Sequence, residues 1–383
     1  MTTNTKMTNR WLEMHVLQNF APNNLNRDDT GAPKDAMFGG VRRARISSQC
    51  LKRATREHFA TAHVFGDEAM SVRTKRTAAA IGEILSKDHD LVEATAIACR
   101  VLESVGLKLD EKTDKTKCLV FMPQRHLKSI AGIIHEHWKA LAGAKKGEVP
   151  GEITGNVAKI VADASKAPEI ALFGRMIAEG EGWGIEAAAQ VAHSISTHEV
   201  NAEFDFFTAL DDLAPKGDHA SAHMDTATFS SACHYRYSAV SVSVLRENLG
   251  DESLVMPTLK AYIAGQIAAM PGGKQAGFAA HNPPSYVLAV VHDGQPYSLA
   301  NAFARPVRAG AHGADLVGES ILAIESYRQR VDAMYGARTN CHAIHCADRD
   351  VSREPAADVT AVTTVAALVD EALKFLGTPK ATP

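Results

Sequence analysis

The sequence predicts an α+β fold in which a sheet domain is interrupted by a large helical insertion, and three observations carry that prediction. Trp11 to Asn19 alternates Leu12, Met14 and Val16 with polar neighbours, the period of a half-buried strand. Between about residues 66 and 191 the period turns helical and the chain alanine-rich. Strand signals return at Cys233–Leu245, where Val240, Val242 and Val244 alternate with Ser241 and Ser243, and at Ser285–His292, after which His292-Asp293-Gly294 can turn the chain. A first strand leading through a long loop into a helix is how the ferredoxin-like, RNA-recognition-motif arrangement begins.

That loop and helix, Asn26–Arg56, hold eight cations: Arg27, Lys34, Arg42, Arg43, Arg45, Lys52, Arg53 and Arg56. Against them stand Asp28, Asp29 and Asp35, so the stretch is net +5 (8 minus 3) in a chain of formal charge −3. Ser47 or Ser48 can cap a helix that opens at Gln49. At about 100° per residue, Leu51, Ala54, Thr55 and His58 fall on one face and Gln49, Lys52, Arg53 and Arg56 on the other. Gly39-Gly40 can bring main-chain N–H groups close to an anion. Glycine-rich loop, arginines, capped helix and basic face together suit a run of phosphates, and the interleaved serine and glutamine suit hydrogen bonding to a backbone better than mere solubility.

Within the insertion, Ala78–Ser86, Leu91–Val105 and Gln124–Leu141 read as helices, the last opened by Pro123, with breaks at Asp110–Lys117 and Gly143–Gly155. Glu203–Phe229 then mixes acidic and aromatic residues with a polar segment, Ala214–Thr226, that is too small-residue-rich to have a core of its own. Helices at Glu319–Tyr335 and Val362–Leu376, the latter closed by Gly377 and Pro379, complete the chain.

Composition narrows the classes. A chain of 383 residues suits two or three domain-sized units, or one core with large insertions. No run approaches the roughly 20 apolar residues of a membrane span, and the polar start MTTNTKMTNRW lacks an apolar signal region, so a cytoplasmic protein with no membrane partner is expected. Six scattered cysteines are too sparse for a disulfide scaffold. The near-neutral total charge argues against indiscriminate coating with nucleic acid.

Several motifs invite sharper chemistry. The glycine-rich run 271–277 lacks the Ser or Thr after the lysine, and the earlier glycine, that a phosphate loop requires. It reads instead as a connector that can set Lys274 and Gln275 against a nucleic-acid backbone. Cys341, His342, His345 and Cys346 are four zinc-ligand types within six residues, but adjacent ligands are awkward for one tetrahedral ion, and no metal or other cofactor is expected. Asp28, Asp29 and Asp35 can hold a divalent ion for phosphodiester cleavage. His193, His198, His223 and His234 have no persuasive partner for metal-independent RNA cleavage and read as structural.

Long segments in fixed order carry a resemblance. LNRDD, KDAMFGG and RARISSQCLKRA in the basic stretch, then GRM at 174–176, AHSISTHEV at 192–200, DFFTALDDL at 205–213, FSSACHYRY at 229–237, ENLG at 247–250 and SLANAF at 298–303, are similar to the CasC family. That family is the backbone subunit of the type I-E CRISPR surveillance complex, Cascade. The resemblance implies a right-hand fold: a palm from residues 1–65 and 231–383, helical fingers from 66–191, and a protruding thumb with its base at 192–230.

It also implies a function. The chain would be a non-catalytic subunit that polymerises along a CRISPR guide RNA, beside other Cascade subunits, and leaves the guide open to pair with target DNA. Arg27, Lys34, Ser47, Gln49, Lys52 and Arg56 would hold the guide's backbone, with Asn26, Arg42, Arg43 and Arg53 beside them and Lys274 and Gln275 from the glycine-rich loop. Met176, Phe206, Phe207, Thr208 and Met224 would wedge between bases. Related backbone subunits of other effector types cut RNA with an aspartate in a comparable loop. In the type I-E pattern the carboxylates would instead orient Arg27 and Arg42.

Overall fold

The strand that opens the chain, Arg10–Asn23, is longer than its alternation suggests and is buried on both faces. Leu12, Met14 and Val16 line one face, and Glu13, His15 and Leu17 the other; none of the six is more than 2% exposed. The expected half-buried strand is therefore a central one. It pairs antiparallel with Tyr286–Asp293, setting Trp11 opposite His292 and Val16 opposite Val287.

The computed structural model describes residues 10–110, 112–144, 148–163, 165–176, 183–209, 223–311, 315–336, 338–349 and 359–377. These belong to two compact units, one of Met1–His58, Gln190–Val240 and Leu259–Pro383, the other of Phe59–Ala189 and Ser241–Thr258.

In the first unit the sheet runs outward from Tyr286–Asp293 to Thr339–Ala347, antiparallel, and then to Val359–Ala361, parallel. On the far side of Arg10–Asn23 it continues through His223–Ser241, Ser194–Ser196, Val41–Ile46 and Asp35–Phe38. Numbered along the chain, the four central strands lie in the order fourth, first, third, second, with helix Ser48–Thr61 after the first and helix Val255–Ala268 after the third. This is the element sequence of a β-α-β-β-α-β fold. Leu17, Tyr235, Tyr286, Leu288 and Val290 pack against Val317, Ile321 and Ile324 of helix Leu316–Tyr335. Each such burial contributes about 1.5–3 kcal/mol.

Leu51, Ala54 and Thr55 form the buried face of helix Ser48–Thr61, as its period predicts. A relay of side chains fixes that face to the first strand. Gln266 Nε2 donates to Thr55 Oγ1 at 3.2 Å, while Arg236 donates to the Gln266 carbonyl at 2.8 Å and to Gln18 Oε1 at 2.6 Å.

The second unit packs helices Thr77–Leu85, Leu91–Ser104, Gln124–Glu136 and Gly151–Ala162 around Ile81, Ile97, Val101, Ile130, Ile134 and Val157. The helix expected from Gln124 to Leu141 breaks at His137. The strand expected to reach Leu245 stops at Ser241, and Val242–Leu249 is helical. Ser241 Oγ accepts from Val244 N at 3.3 Å to cap that helix, and Gly250 closes it in the left-handed conformation.

A buried charge cluster holds the middle of the sheet. Glu13 accepts hydrogen bonds from the Tyr237 hydroxyl and the Tyr297 main chain, each at 3.1 Å, and its other oxygen meets His292 and Arg338. Burial alone would raise the Glu13 pKa. The hydrogen bonds of His15 and His292 and the charges of His15 and Arg338 outweigh burial and hold it well below the usual carboxylate range. A carboxyl so depressed adds stability above the unfolded glutamate pKa of about 4.3 and loses that contribution as pH falls toward the folded value. Glu13→Gln is expected to lose ~3–5 kcal/mol of stability at neutral pH, the usual effect of breaking a buried ion pair. Urea unfolding of both proteins should show the deficit shrinking below about pH 4.

Candidate nucleic-acid interface

The basic loop owes its shape to short polar side chains. Asn26 accepts the Lys34 N–H on its carbonyl and the Ser47 N–H on Oδ1, both at 2.8 Å. Between these ends, Asp28 Oδ1 accepts from Thr30 Oγ1 at 2.7 Å, Thr30 N at 2.9 Å and Ala32 N at 3.0 Å. The Thr30 hydroxyl is the main cause of a depressed Asp28 pKa. Asp28 thus works as a loop-builder, and Arg27 stands exposed beside it. Ser47 caps the basic helix, its Oγ accepting from Cys50 N at 3.3 Å, and is itself buried. Asn26 and Ser47, both expected to touch backbone phosphates, use these side-chain oxygens to shape the loop and the start of the helix.

The next hairpin sorts the arginines. Asp35–Phe38 and Val41–Ile46 pair through Gly39-Gly40, both at positive φ, as a two-residue connection of this kind requires. A side chain at Gly39 would collide with the Ala304 carbonyl. The pair of glycines expected to cradle an anion is thus a turn packed on neighbouring backbone. Arg42 forms an ion pair with Asp35 at the surface, so one carboxylate does orient an arginine. Arg43 is 0% exposed and donates to three carbonyls, Phe38 at 3.1 Å, Ser196 at 3.1 Å and Phe303 at 2.8 Å. Its assignment to the binding surface is corrected: a guanidinium with no exposed surface cannot meet a phosphate. Arg45 reaches the Asp35 carbonyl and His193.

On the helix, Gln49 is exposed and Lys52 and Arg56 are half-buried on the outward face. Burial lowers the Lys52 pKa, and among the described residues no carboxylate pairs with it. Arg53 differs, forming an i,i+4 pair with Glu57 at 2.7 Å. The glycine-rich loop 271–277 lies against the start of the basic loop. A Cβ at Gly273 would sit 2.2 Å from the Leu25 carbonyl oxygen, so only glycine permits that approach. Lys274 stays exposed, whereas the Gln275 amide turns inward to donate to the Pro271 carbonyl at 3.1 Å. Gln275 therefore closes the loop.

The fourth piece is a two-stranded ribbon. Glu203–Ala209 pairs antiparallel with the beginning of His223–Ser241, setting Phe204 opposite Thr228, Phe206 opposite Thr226, Phe207 opposite Asp225 and Thr208 opposite Met224. Opposed residues share a face and neighbours alternate. One face therefore carries Phe204, Phe206, Thr208, Met224, Thr226 and Thr228; the other carries Glu203, Asp205, Phe207 and Asp225. Phe206 and Phe207, expected to act together, lie on opposite faces. Phe204, 72% exposed beside Phe206 at 64% and Met224 at 62%, joins the apolar face, and the i,i+2 spacing of Phe204 and Phe206 is the signal that marks it. Residues 210–222 of the expected thumb lie outside the described residues. Asn24 Nδ2 donates to the Gly31 and Thr228 carbonyls, both at 2.9 Å, and so joins ribbon to basic loop.

Residues 12–371 match the family model described as CT1975-like protein. The chain belongs to the CT1975-like protein family. A chain of a solved "CRISPR RNA-guided surveillance complex, pre-nicking" is 31% identical with a TM-score of 0.86, over 95% of this chain and 99% of that one. A chain of a second "CRISPR RNA-guided surveillance complex" is 24% identical at a TM-score of 0.74 over the same shares, a likeness in fold. No curated protein matches the chain.

The remaining candidates of this CT1975-like chain separate cleanly. Met176 belongs to the second unit and is 91% exposed, its backbone held by the adjoining Arg175, which pairs through its main chain with Ile185 and donates to the Trp183 carbonyl at 2.9 Å. Strand Thr339–Ala347 splits the cysteine–histidine cluster, with Cys341 and His345 on one face and His342 and Cys346 on the other. His342 stacks on Phe375 at 3.7 Å. Among the described residues no three His, Cys, Asp or Glu side chains are placed to hold a metal ion. Nor is any described helix long and apolar enough to cross a membrane. His234 is buried against Ser194 Oγ at 3.0 Å, and burial pushes its pKa down to about 3.

Arg43→Met removes its charged donors from the Ser196 and Phe303 carbonyls, both bonds buried, at about 1–3 kcal/mol each, and from the part-buried Phe38 carbonyl. Urea unfolding is expected to show a loss of at least ~3 kcal/mol for Arg43→Met and less than ~1 kcal/mol for Arg42→Ala, whose ion pair is exposed.

Proposed function

We propose that this chain is a CRISPR RNA-binding backbone subunit of a type I-E Cascade complex, non-catalytic and cytoplasmic, which polymerises along its guide. One observation carries the reading. Asn24 ties the loop that bears Arg27 and Lys34 to a ribbon with an apolar, uncharged exposed face, Asn26 ties that loop to the start of the helix that bears Gln49, Lys52 and Arg56, and the loop of Lys274 packs on the same stretch at Leu25. Cations and a helix N-terminus grip phosphates without reading sequence, as a guide-holding protein must. Flat apolar groups stack on or part the bases. The likeness to a chain of an RNA-guided surveillance complex supports the same reading.

In this reading the sheet unit is an RNA-recognition-motif-like palm, the helical segment 66–191 the fingers and 192–230 the thumb. Phe206, Thr208 and Met224, with Phe204, meet the guide from the thumb, Phe207 faces away among carboxylates, and Met176 meets it from the fingers. Copies of the chain join head to tail, an interface that does not close on itself and so follows the guide's length, with other Cascade subunits at the ends. Target DNA pairs with the bases left open.

Co-expression with a guide RNA tests this. Wild type is expected to purify in large particles with intact RNA that stays uncut in magnesium, and Lys52→Ala/Arg56→Ala to lose it. Removing two phosphate contacts should also flatten the dependence of log K on log salt by about 1.4, at roughly 0.7 per contact on a single strand. Absence of RNA from wild type would sink the assignment; magnesium-dependent cutting abolished by substituting Asp28, Asp29 or Asp35 would replace it with a metal-dependent endoribonuclease.

The ribbon makes a separate expectation. Phe206→Ala should weaken guide binding by about 1–3 kcal/mol, the value of one base stack. Phe207→Ala should change it much less, as read by titration of a fluorescent guide.

A further inference from the structure

Within the second unit, two imidazoles from separate segments meet. His89 lies in the turn between helices Thr77–Leu85 and Leu91–Ser104, and His135, 46 residues on, lies in the last turn of helix Gln124–Glu136. Their facing nitrogens, His89 Nε2 and His135 Nδ1, are 3.0 Å apart. Neither residue has a task in guide binding.

The turn that carries His89 is firmly built. Asp88 N and His89 N both donate to the Leu85 carbonyl at 3.1 Å, and Asp90 Oδ1 accepts from Val92 N and Glu93 N at 3.0 Å to open the next helix. The His89 ring stacks on Trp138 with centroids 3.5 Å and planes 7° apart, so an aromatic contact from another segment sets its rotamer. The His135 side chain is 52% exposed, which leaves its ring room to turn. Asp88 brings a carboxylate to 3.9 Å from the same His135 nitrogen.

The chemistry of the pair follows from its hydrogens. Two neutral imidazoles facing each other hold one hydrogen between them, one ring donating and the other accepting. When His135 is the donor, moving its hydrogen to the outer nitrogen, in reach of water, leaves two lone pairs aimed at one place. Paired imidazole nitrogens suit copper, nickel and zinc, whereas magnesium and calcium take oxygen sets. Two imidazoles bound at about 2.0–2.1 Å stand about 2.9 Å apart at a right angle and about 3.3–3.4 Å apart at the tetrahedral angle. The observed 3.0 Å falls within that span.

We propose that His89 and His135 hold one divalent transition-metal ion of the copper, nickel and zinc class, with water in its remaining positions and the Asp88 charge beside it. Two protein ligands are fewer than a structural zinc site uses, so the ion exchanges with solvent and serves as a removable clip. It ties the turn after one helix to the end of another, and an ion bound only by the folded form stabilises that form. This goes beyond guide binding and does not depend on it.

The test titrates tag-free full-length protein with Cu(II) and reads tryptophan fluorescence and unfolding temperature. The chain has three tryptophans, Trp11, Trp138 and Trp183, and Cu(II) on His89 lies beside the Trp138 indole and quenches it. Wild type is expected to show a saturable quench at one ion per chain and a higher unfolding temperature, with Mg(II) doing neither. Trp138→Phe should lose the saturable quench and keep the thermal shift. His135→Ala and His89→Phe, the latter keeping a ring on Trp138, should each weaken the metal effect by at least the ~10–100-fold that loss of an outer partner costs. Both should unfold at the wild-type temperature in a chelator, which separates loss of the site from loss of the fold. His137→Ala, next to the pair in sequence but outside it, should titrate as wild type. If His135→Ala and His89→Phe also titrate as wild type, the ion is adventitious only and the proposal is overturned.

Discussion

Two asparagine side chains hold the proposed binding surface in place. Asn24 spans from the basic loop to the ribbon by donating to Gly31 and Thr228, and Asn26 accepts from Ser47 and so fixes where the basic helix begins. Each joins backbone groups that no strand or helix pairs, and a buried carbonyl left without its donor costs about 1–3 kcal/mol. Because the first strand is buried on both faces of the sheet, the position of its last residues is determined, and through these amides so are the loop, helix start and ribbon proposed to grip the guide. The loop, the helix, the ribbon and the glycine-rich turn at Gly273 all take their places from the end of one strand.

Placement in turn decides which charges are available. Arg43, with three charge-assisted hydrogen bonds and no exposure, belongs to the architecture, since such bonds contribute about 1.5–3 kcal/mol each. Arg42 and Arg53 form exposed pairs worth at most about 1 kcal/mol, too little to build a fold and little enough to exchange for a phosphate. Lys52 is different again: burial disfavours its charge, so an approaching anion gains more from it than from a fully hydrated lysine. One run of positive sequence thus contains structural, paired and poised cations.

Much of this was legible in the residues and some was not. Local strand signals located the strands at Trp11 and Ser285, and the helical period found the buried face at Leu51, Ala54 and Thr55, though His58, expected on that face, is only half-buried. Alternation misread Val242 and Val244, where a single cap at Ser241 decided for helix. Arg43 looked like its neighbours Arg42 and Arg45 because burial depends on Ser196 and Phe303, residues with no local trace. Phe206 and Phe207 looked like a pair because adjacency in sequence means opposition in a strand only once the strand pairing is known. The zinc-like cluster at Cys341–Cys346 dissolved for the same reason.

The two-faced ribbon also limits how this chain can vary. Because side chains alternate with a period of two, gain or loss of one residue between Glu203 and Ala209 would exchange the face of Phe204 and Phe206 for that of Glu203 and Asp205. A surface made for apolar contact would become an acidic one, with no change in composition. Length changes along those strands are therefore tolerable only in steps of two, and a lineage of such proteins should keep the parity of this segment more faithfully than its residues.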